Sequence, residues 1–138
     1  IVPDGTDLRR TRVGRMLPQP EVETQDRHTH RLDEILGIGF ALIAFHADPA
    51  EAFRGLPELP FESRLGLKRV CVTPRYYNAF PDAPGATTVR DARGDFERHC
   101  AEAKDSWLLV RPDRYVLARI PRDNPQHTVE ALSRLLQA

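Results

Sequence analysis

The chain has 138 residues, a length that suits one domain with a core of its own. Its 41% apolar and 29% charged residues are typical of a globular domain and argue against a disordered chain. Twenty basic and twenty acidic residues give a net charge of zero, which argues against a nucleic-acid or anionic-membrane surface. The longest apolar run, 35–45, is too short to span a bilayer. We therefore expect neither nucleic acid nor a membrane among the partners.

The first part of the chain, 1–31, is the least regular. Proline and glycine interrupt it repeatedly, and charges of both signs alternate along it. This pattern predicts an extended N-terminal arm or linker, followed by a folded domain over 32–138. Four apolar residues of the arm need a surface to cover them, such as that of a neighbouring domain: Val13, Met16, Leu17 and Val22.

The domain begins with a strand–helix–strand pattern. Residues 31–37 predict one helical turn that ends at a glycine. The run 39–45 is apolar throughout, which indicates a central strand covered on both faces. Asp48 then predicts an N-cap and Pro49 the first residue of a helix. A second strand is predicted over 68–73, where β-branched residues precede a proline.

The second half of the domain contains a helix and a hairpin. Asp95 is the predicted N-cap of a helix that runs to residue 103, with its apolar residues three and four apart. Two strands, 107–111 and 115–120, flank a Pro-Asp pair whose backbone preferences suit a tight turn. We therefore predict an antiparallel hairpin.

A last helix is predicted over 125–137, with Asn124 as its cap. Its apolar stripe should pack on the sheet through Val129, Leu132, Leu135 and Leu136. A strand–helix–strand crossover, an antiparallel pair and a final helix together form the thioredoxin-like arrangement. The predicted fold is therefore α/β, with a central mixed sheet of about four main strands flanked by helices.

Three segments carry a resemblance to a known family: Gly-Arg-Met-Leu-Pro at 14–18, the stretch 31–43, and Leu-Leu-Val-Arg-Pro-Asp-Arg-Tyr-Val at 108–116. Across 14–120 the chain resembles the C-terminal domain of FAD-dependent aromatic-ring monooxygenases, close to the 3-(3-hydroxyphenyl)propionate hydroxylase and phenol hydroxylase group. The third segment is the most specific of them. The resemblance implies a thioredoxin-like domain that follows flavin and substrate domains and takes part in subunit contacts.

The same resemblance implies a parent enzyme that hydroxylates a phenolic ring with FAD, NAD(P)H and dioxygen. A flavin site of this kind needs a Gly-x-Gly-x-x-Gly turn after a strand. Gly37 and Gly39 form a Gly-x-Gly pair that precedes a strand and lacks the third glycine. We therefore expect no cofactor-binding residues in this chain, and we expect its partners to be the parent's flavin and substrate domains, with a homo-oligomer as the assembly.

Redox chemistry of the thioredoxin type requires Cys-x-x-Cys at the start of the helix after the first strand, where the helix lowers the thiol pKa. The corresponding segment, 46–51, holds no cysteine. Cys71 lies in a predicted strand and Cys100 on an apolar helix face, so both are expected to be free core residues of a cytoplasmic chain. We predict no catalytic residues.

A metal site is the other chemistry that the sequence raises. His28 and His30 are two apart, and Asp26 and Asp33 could add oxygen ligands. A structural zinc site needs four ligands, and only the two histidines are convincing. A solvated polar segment is the favoured interpretation, so no metal ligand is predicted.

Aromatic residues in the loop 74–88 suggest a binding surface. Tyr76, Tyr77 and Phe80 are not needed to complete a strand or a helix stripe, so they either fold back on the core or lie at an interface. We take them as candidate interface residues of a non-catalytic docking and dimerisation domain. Two alternatives stay open: a stand-alone thioredoxin-like binding module without redox activity, and an enzyme with an unrecognised site.

Overall fold

The computed structural model of the chain describes residues 12–77 and 85–137, which are organised by one mixed β-sheet. The sheet has the order β2-β1-β5-β4-β3-β6-β7. Its strands are β1 (Glu21–Glu23), β2 (Thr29–Arg31), β3 (Ala41–Phe45), β4 (Lys68–Thr73), β5 (Ala86–Asp91), β6 (Ser106–Val110) and β7 (Val116–Pro121). Strands β3, β4 and β5 run parallel to one another, and the remaining pairs are antiparallel.

Within the described residues, four short helices accompany the sheet: α1 (Leu32–Leu36), α2 (Glu62–Leu65), α3 (Asp95–His99) and α4 (Gln126–Leu135). Two 3₁₀ turns, Pro49–Glu51 and Ala101–Lys104, complete the regular structure. None of the helices in the described part of the chain is long and apolar enough to cross a membrane.

Strand β3 confirms the prediction of a central strand, because all five of its residues are buried between β4 and β6. Side chains alternate across a strand, so Ala41 and Ile43 pack with Leu36 of α1 on one face of the sheet. Leu42 and Ala44 pack with Trp107 on the other face. The sheet has a hydrophobic core on each face, and β3 contributes side chains to both, so its sequence is apolar throughout.

The predicted hairpin is confirmed, with strand bounds shifted by one residue. Trp107 lies opposite Ile120, and the register shifts by one residue near Val110. The turn closes with the amide of Arg111 donating to the carbonyl of Tyr115 at 2.9 Å.

In the part of the chain that the structure describes, the sheet has seven strands where about four main strands were expected, and three of the seven lie outside the predicted set. Strands β1 and β2 lie within 21–31, where the sequence predicts an irregular arm, and β5 overlaps the end of the predicted loop. β5 has few apolar residues, so its pattern is weak, and it is held by pairing with β4 and β1. The division of the chain at residue 31 stays a prediction.

Two of the apolar residues assigned to the arm pack inside this domain, contrary to the expectation that a neighbour covers them. Leu17 and Val22 are buried in the core on the α1 face of the sheet, and Val13 packs against that core from a half-buried position. Met16 is the one of the four that is exposed. A neighbouring domain is therefore not needed to cover the other three.

The helix predicted over 95–103 is split, and its cap differs from the predicted one. Helix α3 is followed by the second 3₁₀ turn. The buried carboxylate of Asp91 accepts hydrogen bonds from the amides of Phe96 (3.2 Å) and Glu97 (3.0 Å), while Asp95 forms an ion pair with Arg98. Asp91 thus satisfies the free amides at the start of α3, and the prediction that Asp95 caps it is wrong.

The last helix is confirmed in place, with two corrections. Val129 and Leu132 are buried against the sheet and Leu136 is partly buried there, but Leu135 is 55% exposed. Pro125 stands at the helix start without a side-chain cap, so the prediction that Asn124 caps this helix is wrong. Helix α4 is held by its packing on β7 and not by a cap.

Candidate docking interface

The position that holds the reactive thiols in thioredoxins lies just after β3. Here the Nδ1 atom of His46 accepts a hydrogen bond from the amide of Asp48 at 2.9 Å. The carboxylate of Asp48 accepts from the amide of Ala50 at 3.0 Å, which confirms the predicted N-cap, although the helix is a single 3₁₀ turn. Both side chains are used in closing the backbone turn, and no thiol is present in the segment.

Neither cysteine belongs to that segment, although the Sγ atom of Cys71 donates to the carbonyl oxygen of His46 at 3.8 Å. Cys71 belongs to the core on the Trp107 face of the sheet and Cys100 to the core on the opposite face. Burial raises the pKa of each thiol to about 12, so both are protonated at neutral pH. Thiols on opposite faces of a sheet cannot form a disulfide or act as a dithiol pair.

The two histidines considered as metal ligands are occupied by different carboxylates. His28 faces Asp26 at 3.5 Å, and His30 faces Glu34 at 3.1 Å. Asp33 is bound to Arg114 instead. Within 12–77 and 85–137, no cluster of three or more His, Cys, Asp or Glu side chains could hold a metal ion.

Tyr76 and Tyr77 follow β4 and point away from the core, whereas Phe80 lies outside the described residues. Tyr76 is 74% exposed, and the guanidinium carbon of Arg75 lies 4.9 Å from its ring centroid. The same guanidinium donates to the Tyr76 hydroxyl at 2.9 Å. The amide of Tyr77 donates to the carbonyl of Pro74 at 3.1 Å, which closes a turn. Two aromatic side chains are thus presented on the surface by an ordered turn.

A groove of about 390 Å³ lies beside Tyr76. Its lining includes one carboxylate, Glu97, and four cationic side chains: Arg75, Arg93, Arg98 and Lys104. Three of the cations form ion pairs, because Arg93 contacts Glu21, Arg98 contacts Asp95 and Lys104 contacts Glu97. An aromatic ring with arginines around it has the composition of protein–protein interfaces.

A second group of exposed apolar side chains lies near the turn of the β6–β7 hairpin. Met16, Ile38 and Tyr115 come from three separate segments, and Ile38 is 98% exposed. We call these three residues the hairpin-end patch. Ile38 and Tyr115 were not predicted as surface residues, although an isoleucine between two glycines outside a strand is a local signal of exposure.

The fold and these surfaces define a class: a thioredoxin-like domain without a thiol site at the redox position and with exposed apolar and aromatic side chains. A family model described as the HcaD C-terminal domain matches residues 14–135. The chain belongs to that family, and the predicted resemblance to the C-terminal domain of aromatic-ring hydroxylases is confirmed.

One relative is the 3-(3-hydroxy-phenyl)propionate/3-hydroxycinnamic acid hydroxylase of Comamonas testosteroni, which is 31% identical over 130 residues. The match covers 91% of this chain and 22% of the relative, so the chain spans about a fifth of the relative's length. It therefore corresponds to a C-terminal domain of a longer hydroxylase.

Solved structures confirm the predicted fold class. The flavin-dependent monooxygenase PieE, in complex with FAD and substrate, has a TM-score of 0.62 and 22% identity, covering 99% of this chain and 24% of PieE. A thioredoxin-like protein from Bacteroides caccae has a TM-score of 0.57 and 18% identity, covering 91% of this chain and 50% of that protein. The fold is thus shared between a longer flavoprotein and a thioredoxin-like protein.

Proposed function

We propose that this chain is the non-catalytic C-terminal domain of an FAD- and NAD(P)H-dependent hydroxylase of phenolic rings, and that it serves domain docking and dimerisation in the cytoplasm. The observation that carries the proposal is the match to a C-terminal domain that makes up about a fifth of a hydroxylase. The turn after β3 supports it, because His46 and Asp48 occupy the place where a redox thioredoxin needs a thiolate. Fold alone does not define function, so the exposed surfaces carry the rest of the argument.

Tyr76, Tyr77 and Phe80 are the proposed subunit contact. The stacking of Arg75 on Tyr76 holds the ring in place before any partner binds, which lowers the conformational entropy lost on association. The turn closed between Tyr77 and Pro74 has the same effect on the backbone. A stable dimer contact at this surface should bury on the order of 1,000 Å² or more in total.

The test uses the full-length hydroxylase that carries this chain. Replacing Tyr76, Tyr77 and Phe80 together by serine should lower the mass measured by sedimentation equilibrium from that of an oligomer to that of a monomer. Leu135→Ser is the matched control, since it removes an exposed apolar side chain on a different element and should leave the mass unchanged.

Two outcomes would contradict the proposal at different levels. If the triple variant keeps both its mass and its hydroxylase activity, the aromatic loop is not the contact. If deletion of 14–138 also leaves assembly and activity intact, the docking and dimerisation function as a whole is wrong.

A further inference from the structure

The hairpin-end patch is assembled where the N-terminal segment of the domain joins the β6–β7 hairpin. Met16 forms an antiparallel bridge with Tyr115, and Val13 a parallel bridge with Val116. The amide of Leu17 donates to the carbonyl of Arg114 at 2.7 Å. These backbone bonds fix Met16 beside Tyr115, so their exposed side chains belong to one surface.

Ile38 is held next to that surface by the arginine that precedes Tyr115. The guanidinium of Arg114 donates to the carbonyl of Gly39 at 3.2 Å and to the carbonyl of Gly37. These two residues flank Ile38, which brings its loop onto the hairpin turn. The carbonyls on both sides of Ile38 are thus tied to the protein while its side chain stays almost fully exposed. The apolar side chain is therefore presented by a fixed backbone and not by a loose loop.

Two ion pairs lie within the domain near the patch. Arg111 contacts Asp113 at 2.6 Å in the hairpin turn, and Arg114 contacts Asp33 at 2.5 Å. Exposed apolar side chains beside arginines have the composition of a protein–protein interface. Backbone and guanidinium bonds bring three segments to the hairpin turn, and each presents an exposed apolar side chain, which is the kind of feature that marks an interaction site.

We propose that the hairpin-end patch docks on the flavin and substrate domains that precede this domain in the same polypeptide. The inference rests on the proposed function. Its occupant follows from connectivity: the family is a C-terminal domain that covers about a fifth of its relative, so the rest of the hydroxylase precedes it. The preceding chain enters through 12–17, the segment that supplies Met16 to the patch. Covalent attachment at the edge of the patch keeps the neighbouring domain there at high effective concentration.

Hydroxyl-radical footprinting of the full-length hydroxylase tests the proposal. Met16 and Leu135 are both 55% exposed in the isolated fold, so Leu135 is the internal reference once intrinsic reactivities are taken into account. Docking should protect Met16, Ile38 and Tyr115 from oxidation and leave Leu135 unprotected. The inference would be overturned if the three patch residues were oxidised as fast as expected from their exposure in this domain alone.

Ile38→Asp is the matching variant, since a residue this exposed can be charged without disturbing the core. It should raise the oxidation rates of Met16 and Tyr115 by about tenfold, the loss expected for one central interface side chain. Leu135→Asp should not raise them. Circular dichroism spectra that match the unmodified protein show that both variants are folded.

Further outcomes separate this inference from the proposed function. If the patch is oxidised freely while Tyr76 is protected, the inference is wrong and the subunit contact stands. If neither surface is protected, both are wrong. If Ile38→Asp halves the mass in sedimentation equilibrium, the patch binds a second copy of the chain, which also overturns the inference.

Discussion

Replacing Arg114 should be among the most destabilising single changes in the domain, because one side chain ties three segments together. Its guanidinium is mostly buried and binds the carboxylate of Asp33 and the carbonyls of Gly37 and Gly39. The residue also has a φ of 71°, in the left-handed region that side chains other than glycine rarely adopt. The backbone strain is tolerated because the guanidinium bonds compensate for it.

Two substitutions of Arg114 separate the contribution of its hydrogen bonds to stability from the cost of its backbone strain. Arg114→Ala loses the charge-assisted bonds and leaves carbonyl groups without their donor, which should lower the free energy of unfolding by about 3 kcal/mol. Asp33 is half-exposed, so its share of this loss is at most about 1 kcal/mol. Arg114→Gly loses the same bonds but relieves the backbone strain, so it should be about 1 kcal/mol more stable than Arg114→Ala.

Urea unfolding followed by the fluorescence of Trp107, the single and fully buried tryptophan, measures these differences. Arg111→Ala is the control in the same turn. Among the described residues, the side chain of Arg111 forms an ion pair with Asp113 alone, and both are about half-exposed, so its loss should change stability by at most about 0.5 kcal/mol. If Arg111→Ala and Arg114→Ala are equally destabilising, or if Arg114→Gly is less stable than Arg114→Ala, the reasoning is wrong.

Burial raises the pKa of Cys71 and Cys100 from 9.0 to about 12, so at alkaline pH the unfolded chain loses thiol protons that the folded chain keeps. The free energy of unfolding should fall between pH 9 and 12, by up to about 1.4 kcal/mol per pH unit for each thiol. In the variant with both Cys71→Ala and Cys100→Ala, the free energy of unfolding should fall less steeply with pH. Equal slopes for the variant and the unmodified protein would contradict this. Asp91→Ala should lower the free energy of unfolding by about 1–2 kcal/mol because it removes the cap of α3. Asp95→Ala removes only an exposed ion pair and should lower it by about 0.5 kcal/mol or less. Equal effects of the two variants in urea unfolding would show that Asp91 is not the cap. Trp107→Phe should cost about 1–2 kcal/mol because the indole Nε1 donates to a buried backbone carbonyl at 2.9 Å, and an unchanged urea midpoint measured by circular dichroism would argue against that bond.

The elements that the sequence predicted correctly are those whose signals lie within the segment. Strand β3 is apolar on both faces, and the hairpin 106–121 has two apolar strands around a Pro-Asp turn. These patterns predict a buried strand or a tight turn whatever the rest of the chain does. The absence of a thiol after β3 can likewise be read directly from the letters.

Strands β1, β2 and β5 depend on partners that are distant in sequence. Val22 of β1 lies opposite Asp91 of β5, about 70 positions away along the chain. Such short strands with few apolar residues have little preference of their own, and ladder hydrogen bonds from a neighbour make them strands. The cap of α3 also depends on this pairing. Asp91 is the last residue of β5, and its carboxylate accepts a hydrogen bond from an amide at the start of α3.

The candidate surfaces divide in the same way. The sequence by itself indicated that Tyr76 and Tyr77 lie in a loop and either fold back on the core or lie at an interface, and the structure exposes both. It could not bring Met16, Ile38 and Tyr115 together, because their proximity depends on two bridges and on the guanidinium of Arg114. Local sequence determines which residues can form a strand, a turn or an exposed loop, since those preferences act within a few residues. Only the tertiary structure decides which segments share a surface, since that depends on contacts between residues as many as a hundred positions apart.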